Sequence, residues 1–328
     1  MEIVNNGGIE RQSDGSSLDL YFPYHGDPGI QLAGSGHRFE RLEVHDNAAD
    51  AIQSAFTNPG RGTYNNMDDL TITDSWFYNQ RPHSGTDNSP AGEVCTADNA
   101  SGCDELGAPH MGPDYHRYPT DPPNRQESFN WCTHSDGIQI FSSNDFNKMT
   151  LERTIIGPNF MTGLILGDRN GENQTAWVND LTLTDVVITR YMHNALGMKN
   201  HPDHPGKRWT LERVTLYGHF NNTNKGTLNI DSGESFTEHQ IANSIMVHGR
   251  TNFPNGNIQF SNNCEHAMYS NSIGGIEADP NFSRVFSGDL FEADLSVDFA
   301  TVFTDDYTAQ NSACQGSRVA SVSDLLRR

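Results

Sequence analysis

An apolar residue returns every thirty positions through the middle of the chain, at Leu151, Leu181, Leu211 and Ile241. Each opens a strand-like segment: LERTIIGPN at 151–159, LTLTDVVITR at 181–190, LERVTLYGH at 211–219 and IANSIMVHG at 241–249. LEVHDN at 42–47 and LTITDSWFYN at 70–79 are similar segments upstream. Self-similarity at a short fixed period marks an architecture in which each unit buries its apolar side only against its neighbours. A second strand-like segment lies inside each period: GIQLAG at 29–34, AIQSAF at 51–56, GIQIFS at 137–142, GLILGD at 163–168, ALGMKN at 195–200, TLNIDS at 227–232 and NIQFSN at 257–262. Apolar residues alternate in these segments, as in Ile138/Ile140, Leu164/Leu166 and Leu228/Ile230, which predicts strands with one buried side. Gly, Asn, Asp and Pro cluster between them, as turns require.

Short units of this kind stack or close into propeller blades. A blade needs about 40–45 residues and hairpin turn signals. These units are shorter and lack Asn-Gly turns around the strands, so the expected fold class is all-β, a parallel β-helix with coils about 4.8 Å apart. One domain over 1–328 is expected: an N-terminal cap at 1–28, coils over 29–285 and a C-terminal cap at 286–328, with SVSDLLRR as a short helix. Residues 82–131 interrupt the repeat with non-periodic chain rich in Pro, Gly, His, Tyr and Asp, and are expected to fold over one side as a wall.

Charge narrows the partners. The 21 Lys and Arg against 42 Asp and Glu give a net charge of −21, which argues against a nucleic-acid binder because phosphates need a cationic track. No apolar run approaches the ~20 residues of a spanning helix, and MEIVNNGGIERQ lacks the basic-then-apolar pattern of a signal peptide. The five cysteines show no zinc spacing. Cys95 and Cys103 flank the polar stretch TADNASG, which suits a disulfide-closed loop, and a bridge from Cys264 to Cys314 would pin the tail. This usage favours an oxidising compartment, hence a secreted or extracellular protein.

The repeated segments, together with HSDGIQIF at 134–141 and EADPNF at 277–282, resemble the pectate-lyase-like superfamily of right-handed parallel β-helices. The resemblance covers residues 29–285 and implies action on a glycan along an elongated side of the helix. Members include polysaccharide lyases, glycoside hydrolases, uronan epimerases and tailspike depolymerases.

The outward positions of the second segment series are where such chemistry is expected. One column reads Gln139, Ile165, Gly197, Asn229, Gln259, and the next Phe141, Gly167, Lys199, Asp231, Ser261. His134, Asp136 and His193 lie just before the strands, and Asp168, Arg169 and His201 just after. Residues 190–213 carry five Lys or Arg against Asp203 and Glu212, a local excess suited to an anionic polysaccharide. A lyase on a uronic acid needs a cation on the carboxylate, a base for the adjacent proton and an acid or water for the leaving oxygen. The expected catalytic set is Lys199 as base with His193 competing, Arg169 on the carboxylate, Tyr191 or Tyr115 as acid, and His134 beside them. Asp136, Gln139, Asn229, Asp231, His201, Arg208 and Tyr115 are the expected substrate contacts. Asp168, Asn170 and Glu172 alternate as a weak set of oxygen ligands for Ca²⁺. A monomer is expected. An inverting hydrolase using Asp136 and Asp168, a uronan epimerase, and a non-catalytic glycan binder with Trp76, Tyr78, Trp131, Trp177 and Trp209 as platforms remain open readings.

Overall fold

The computed structural model describes residues 2–4, 29–45, 50–54, 56–58, 63–64, 67–78, 136–141, 146–157, 160–167, 178–189, 191–199, 207–218, 228–231, 238–252, 258–270, 275–285 and 305–326. They form an all-β structure of large parallel sheets, consistent with a parallel β-helix. Three strand series account for it, each strand pairing in parallel with its counterpart in the next repeat, here called a tier. The first series runs Arg38–Glu40, Leu70–Thr73, 149–152, 181–184, 210–212, His239–Ala242 and Ile258–Ser261. The second runs Glu2–Val4, Glu43–His45, Trp76–Tyr78, 154–156, 186–189, 215–217, 245–247, 264–265 and Ile276–Glu277. The third runs Ile30–Leu32, Ile52–Ser54, Ile138–Phe141, 164–167, 196–199, Leu228–Asp231 and 251–252.

Parallel register stacks like on like. Ile72, Leu151, Leu183, Leu211 and Ile241 form one buried column, Phe77, Ile156, Ile188, Leu216 and Met246 a second, and Ile52, Ile138, Leu164 and Leu196 a third. All belong to one continuous core. The thirty-residue spacing is not the physical register. Leu151 pairs with Leu183 and not Leu181, which stacks on Met149. The true intervals are 32, 28 and 30 residues, then 19 at the last tier. Turns outside the ladder change length freely, whereas the strands must keep their inward side inward. For the same reason NIQFSN at 257–262 does not continue the third series. Ile258–Ser261 pairs with His239–Ala242 of the first, and Asn229 is followed by Asn252.

A single residue in left-handed conformation turns the chain at each end of the first-series strands, and the two corners lie five residues apart. They are Asp69 and Asp74, Lys148 and Arg153, Asp180 and Asp185, Arg208 and Arg213, then Glu238 and Asn243. Sign alternates from tier to tier at the first corner, and at the second as far as Arg213, where neutral Asn243 follows. A left-handed residue costs roughly 1–2 kcal/mol unless it is Gly, Asn or Asp, so Lys and Arg here need compensation. Ion pairs supply it. Arg153 donates to both oxygens of Asp74 at 2.6 and 2.5 Å, Arg208 to Asp180 at 2.5 and 2.9 Å, and Lys148 pairs with Asp69 at 2.8 Å.

The second series reads as continuous apolar runs (TII, VVI, VTL, IMV), which a strand needs when both of its sides are covered. The C-terminal segment supplies the second cover. From the Cys264–Cys314 disulfide it runs back along the flank: Ser317 N–H donates to Thr215 Oγ1 and Arg318 N–H to Asp185 Oδ1. Farther on, Tyr307, Val319, Ala320 and Val322 pack on Trp76, Tyr78, Ile155 and Val187. Gly316 permits the approach, since a Cβ there would lie 2.5 Å from Thr215 Oγ1 and 2.8 Å from Ile245 Cδ1. The expected short helix is present as Val322–Leu326, with Ser321 N–H and Oγ both donating to Asp324 Oδ2 at its start. Among the described residues no helix is long and apolar enough to cross a membrane. The disulfide is compatible with an extracellular protein.

Candidate functional site

The third series carries the expected strip. Its register places Phe141, Gly167, Lys199 and Asp231 in one column and Gln139, Ile165, Gly197 and Asn229 in the next. Gln259 and Ser261 leave these columns, because their strand belongs to the first series. Gln53, which the sequence reading did not single out, joins Gln139 one tier away and donates to its Oε1 at 2.6 Å. These two side chains are only 2% and 6% exposed, and Ile165 and Gly197 are buried as well. The outward side of the strip is therefore shielded from water, contrary to the simple in-and-out reading of alternation.

Tyr191, His193 and Lys199 all lie on the Tyr191–Lys199 strand. The strand shifts register against its neighbour between Tyr191 and Asn194 and runs regularly from Leu196 to Lys199. The strip thus has two ends. His193 adjoins Asn194, which is in register with Thr162, whereas Lys199 lies at the Gly167–Asp231 level.

Asp136 marks the first end but is no substrate contact. It is 0% exposed, and its Oδ1 accepts the Thr162 N–H at 3.0 Å. Its own N–H donates to Asp50 Oδ1 at 2.7 Å, so two carboxyls stack in successive tiers and tie the chain between turn and strand. Asp50 is 1% exposed, and burial pushes its carboxyl up to about 8 against the pull of the Asp136 N–H. A protonated acid is the stable form there at neutral pH. The signal for Asp50 in the sequence was its place two residues before IQ, matching Asp136 before IQI, which register alone makes meaningful.

Two of the five cations at 190–213 are engaged in ion pairs of the fold. Arg208 is held by Asp180, and Arg213 by Asp185 and Glu212, all at the corners of the first series. Arg208 is thus a corner residue of the stack, with 48% of its side chain still exposed. The Arg208 guanidinium holds Asp180 below the usual carboxylate range. Burial raises Asp185, but Arg213 and the Arg318 N–H outweigh it and leave it low. Trp76, Tyr78 and Trp209 are buried and offer no platform to a sugar. His134, Arg169, His201, Tyr115, Trp131, Trp177, the Asp168, Asn170 and Glu172 set, and Cys95, Cys103 and Cys132 lie outside the described residues. Among the described residues no three His, Cys, Asp or Glu are grouped to hold a metal.

No protein-family model matches this chain, no curated protein matches it, and no solved structure matches it.

Proposed function

We propose that this chain is a right-handed parallel β-helix of the pectate-lyase-like kind that cleaves an anionic, uronic-acid-containing polysaccharide by β-elimination. The handedness follows the rule that parallel crossover connections in one sheet are right-handed in about 98% of cases. The observation that carries the chemistry is the column Gly167–Lys199–Asp231, a lysine flanked by a bare tier on one side and a carboxylate tier on the other.

Lys199 is the base. Its neutral amine takes the proton from the carbon beside the uronate carboxylate. The electron pair left behind forms the carbon–carbon double bond, and the glycosidic oxygen departs with a proton from water. Arg169, which lies outside the described residues, is the proposed cation on the carboxylate, where it would stabilise the developing charge. Tyr191 is given no part in this step, because water serves as the proton donor. No step is assigned to Ca²⁺. The hydrolase reading loses ground because Asp136, one of its two carboxylates, is enclosed and bonded to the next tier.

The test is a panel of alginate, polygalacturonate, ulvan and glycosaminoglycans, followed by ultraviolet absorbance. An unsaturated product supports the lyase. Reducing ends without absorbance would move the assignment to a hydrolase, altered uronate composition at constant length to an epimerase, and retention without turnover to a binder.

A further inference from the structure

Among the described residues three asparagines hold left-handed backbone: Asn243, Asn262 and Asn281, with φ of 51, 53 and 47°. The conformation accounts for the residue type, since asparagine adopts it at little cost. What separates the three is the side-chain amide. Asn243 Nδ2 donates to Glu212 Oε1 at 2.9 Å, and Asn262 Nδ2 to Asn243 Oδ1 at 3.3 Å, so both amides are bonded across the tiers. Asn281 is exposed, and its side-chain amide makes no bond to any described residue.

The turn around Asn281 is fixed without that amide. Asn281 N–H donates to Asp279 Oδ1 at 2.8 Å, and Asn311 Nδ2 donates to the Asp279 carbonyl at 2.9 Å. The Pro280 carbonyl accepts the Gln310 and Asn311 N–H groups at 3.0 and 3.1 Å. Phe282 anchors the next position, its ring 5.8 Å from that of Tyr217 and 5.5 Å from that of Tyr307. Ser283 follows and is exposed again. Asn281-Phe282-Ser283 is the Asn-X-Ser acceptor pattern with X other than proline. Asn243 and Asn262 do not match it, because Ile245 and Cys264 stand two positions on. The left-handed asparagine with an unused, exposed amide is therefore also the one with a hydroxyl two residues later. The compartment agrees, since the Cys264–Cys314 disulfide belongs to the oxidising surroundings in which such asparagines are glycosylated.

We infer that Asn281 is an N-glycan acceptor. In the transfer, Asn281 Nδ2 bonds to the anomeric carbon of a lipid-linked oligosaccharide. The bond from that carbon to the lipid phosphate oxygen breaks, the phosphate leaves with the electron pair, and one amide proton passes to a base of the transferase. Ser283 is the positioning residue, read through its hydroxyl. The sugar joins a turn that already faces water and whose own bonds do not use the modified amide. Asn99, Asn173 and Asn221 begin the same pattern but lie outside the described residues.

The test secretes the full chain from a eukaryotic host behind a cleavable leader, alongside Asn281→Asp, Ser283→Ala and Ser283→Thr. A glycosidase releases N-glycans in heavy-oxygen water, which marks each occupied asparagine as labelled aspartate, and mass spectrometry reads the peptide that holds Asn281. Label is expected in the unaltered chain and in Ser283→Thr, and is expected to be lost in Ser283→Ala, where the asparagine and its backbone are intact. Asn281→Asp keeps a residue that tolerates left-handed backbone, and its gel band should run lower by one glycan. An unlabelled Asn281 in secreted chain with the Cys264–Cys314 bond formed overturns the inference. So does label that survives in Ser283→Ala, and so does label of equal extent without the glycosidase, which is deamidation.

Discussion

Arg213 donates through Nε and Nη2 to the two carboxylate oxygens of Asp185, 2.8 and 2.9 Å away and one tier apart in the stack. Asp185 stands in register between Arg153 and Arg213, and the other corner repeats the arrangement with Lys148, Asp180 and Arg208. A slip of one tier would set like charge on like at both corners, so the ladders oppose misregister as well as offset the left-handed backbone.

Arg213→Met is expected to cost about 2–3 kcal/mol in urea unfolding, because it strands a mostly enclosed Asp185 carboxylate. Arg208→Met, at the exposed corner, should cost clearly less, since solvent takes over the screening of Asp180. Equal effects at the two positions would show that the ladders stabilise through packing of the side-chain stems and not through charge.

Stability should fall in acid and, separately, drift down toward alkali. Asp69, Asp180 and Asp185 are held low by their partners, so their contribution is complete above the ordinary value of 3.8 and disappears as pH drops through the folded-state values. Asp50 has the opposite sign. Its carboxyl is raised to about 8, so its contribution is full below 3.8 and is lost as pH climbs from there to about 8. Asp50→Asn keeps an oxygen acceptor for the Asp136 N–H and should flatten unfolding free energy between pH 4 and 8. An unchanged slope would show that Asp50 is charged in the folded chain.

Opening the Cys264–Cys314 disulfide releases a 50-residue separation, worth up to about 4 kcal/mol in the chain-entropy picture. Cys264→Ser with Cys314→Ser should lower the urea midpoint and loosen the flank segment that covers Trp76, seen as a red shift in tryptophan emission and earlier proteolysis within 305–326.

Lys199→Ala should lower turnover by about 10²–10⁴-fold on the true substrate, the range expected for loss of a general base. His193→Ala should change it by less than tenfold, because Lys199 is the proposed base. The reverse ranking of Lys199→Ala and His193→Ala would move the catalytic centre to the Tyr191–His193 end.

The sequence determined the class of architecture. Alternation in IQI, LIL and LTLT, and the uninterrupted runs TII and VVI, state which residues need burial on one side and which on two. It also contains the corner code in plain form, as Asp69 and Asp74, Lys148 and Arg153, Asp180 and Asp185, Arg208 and Arg213, all at one spacing. Periodicity pointed to the repeat but misread the register, because an apolar residue two positions early satisfies a period as well as the true partner does. Only the tertiary structure decided that Leu151 stacks on Leu183, that Asp136 is enclosed beside Asp50, and that Arg208 and Arg213 are spent on carboxylates. The reason is that stacking fixes neighbours across the tiers, where turn lengths are variable, and a side chain's role depends on the neighbour that stacking supplies.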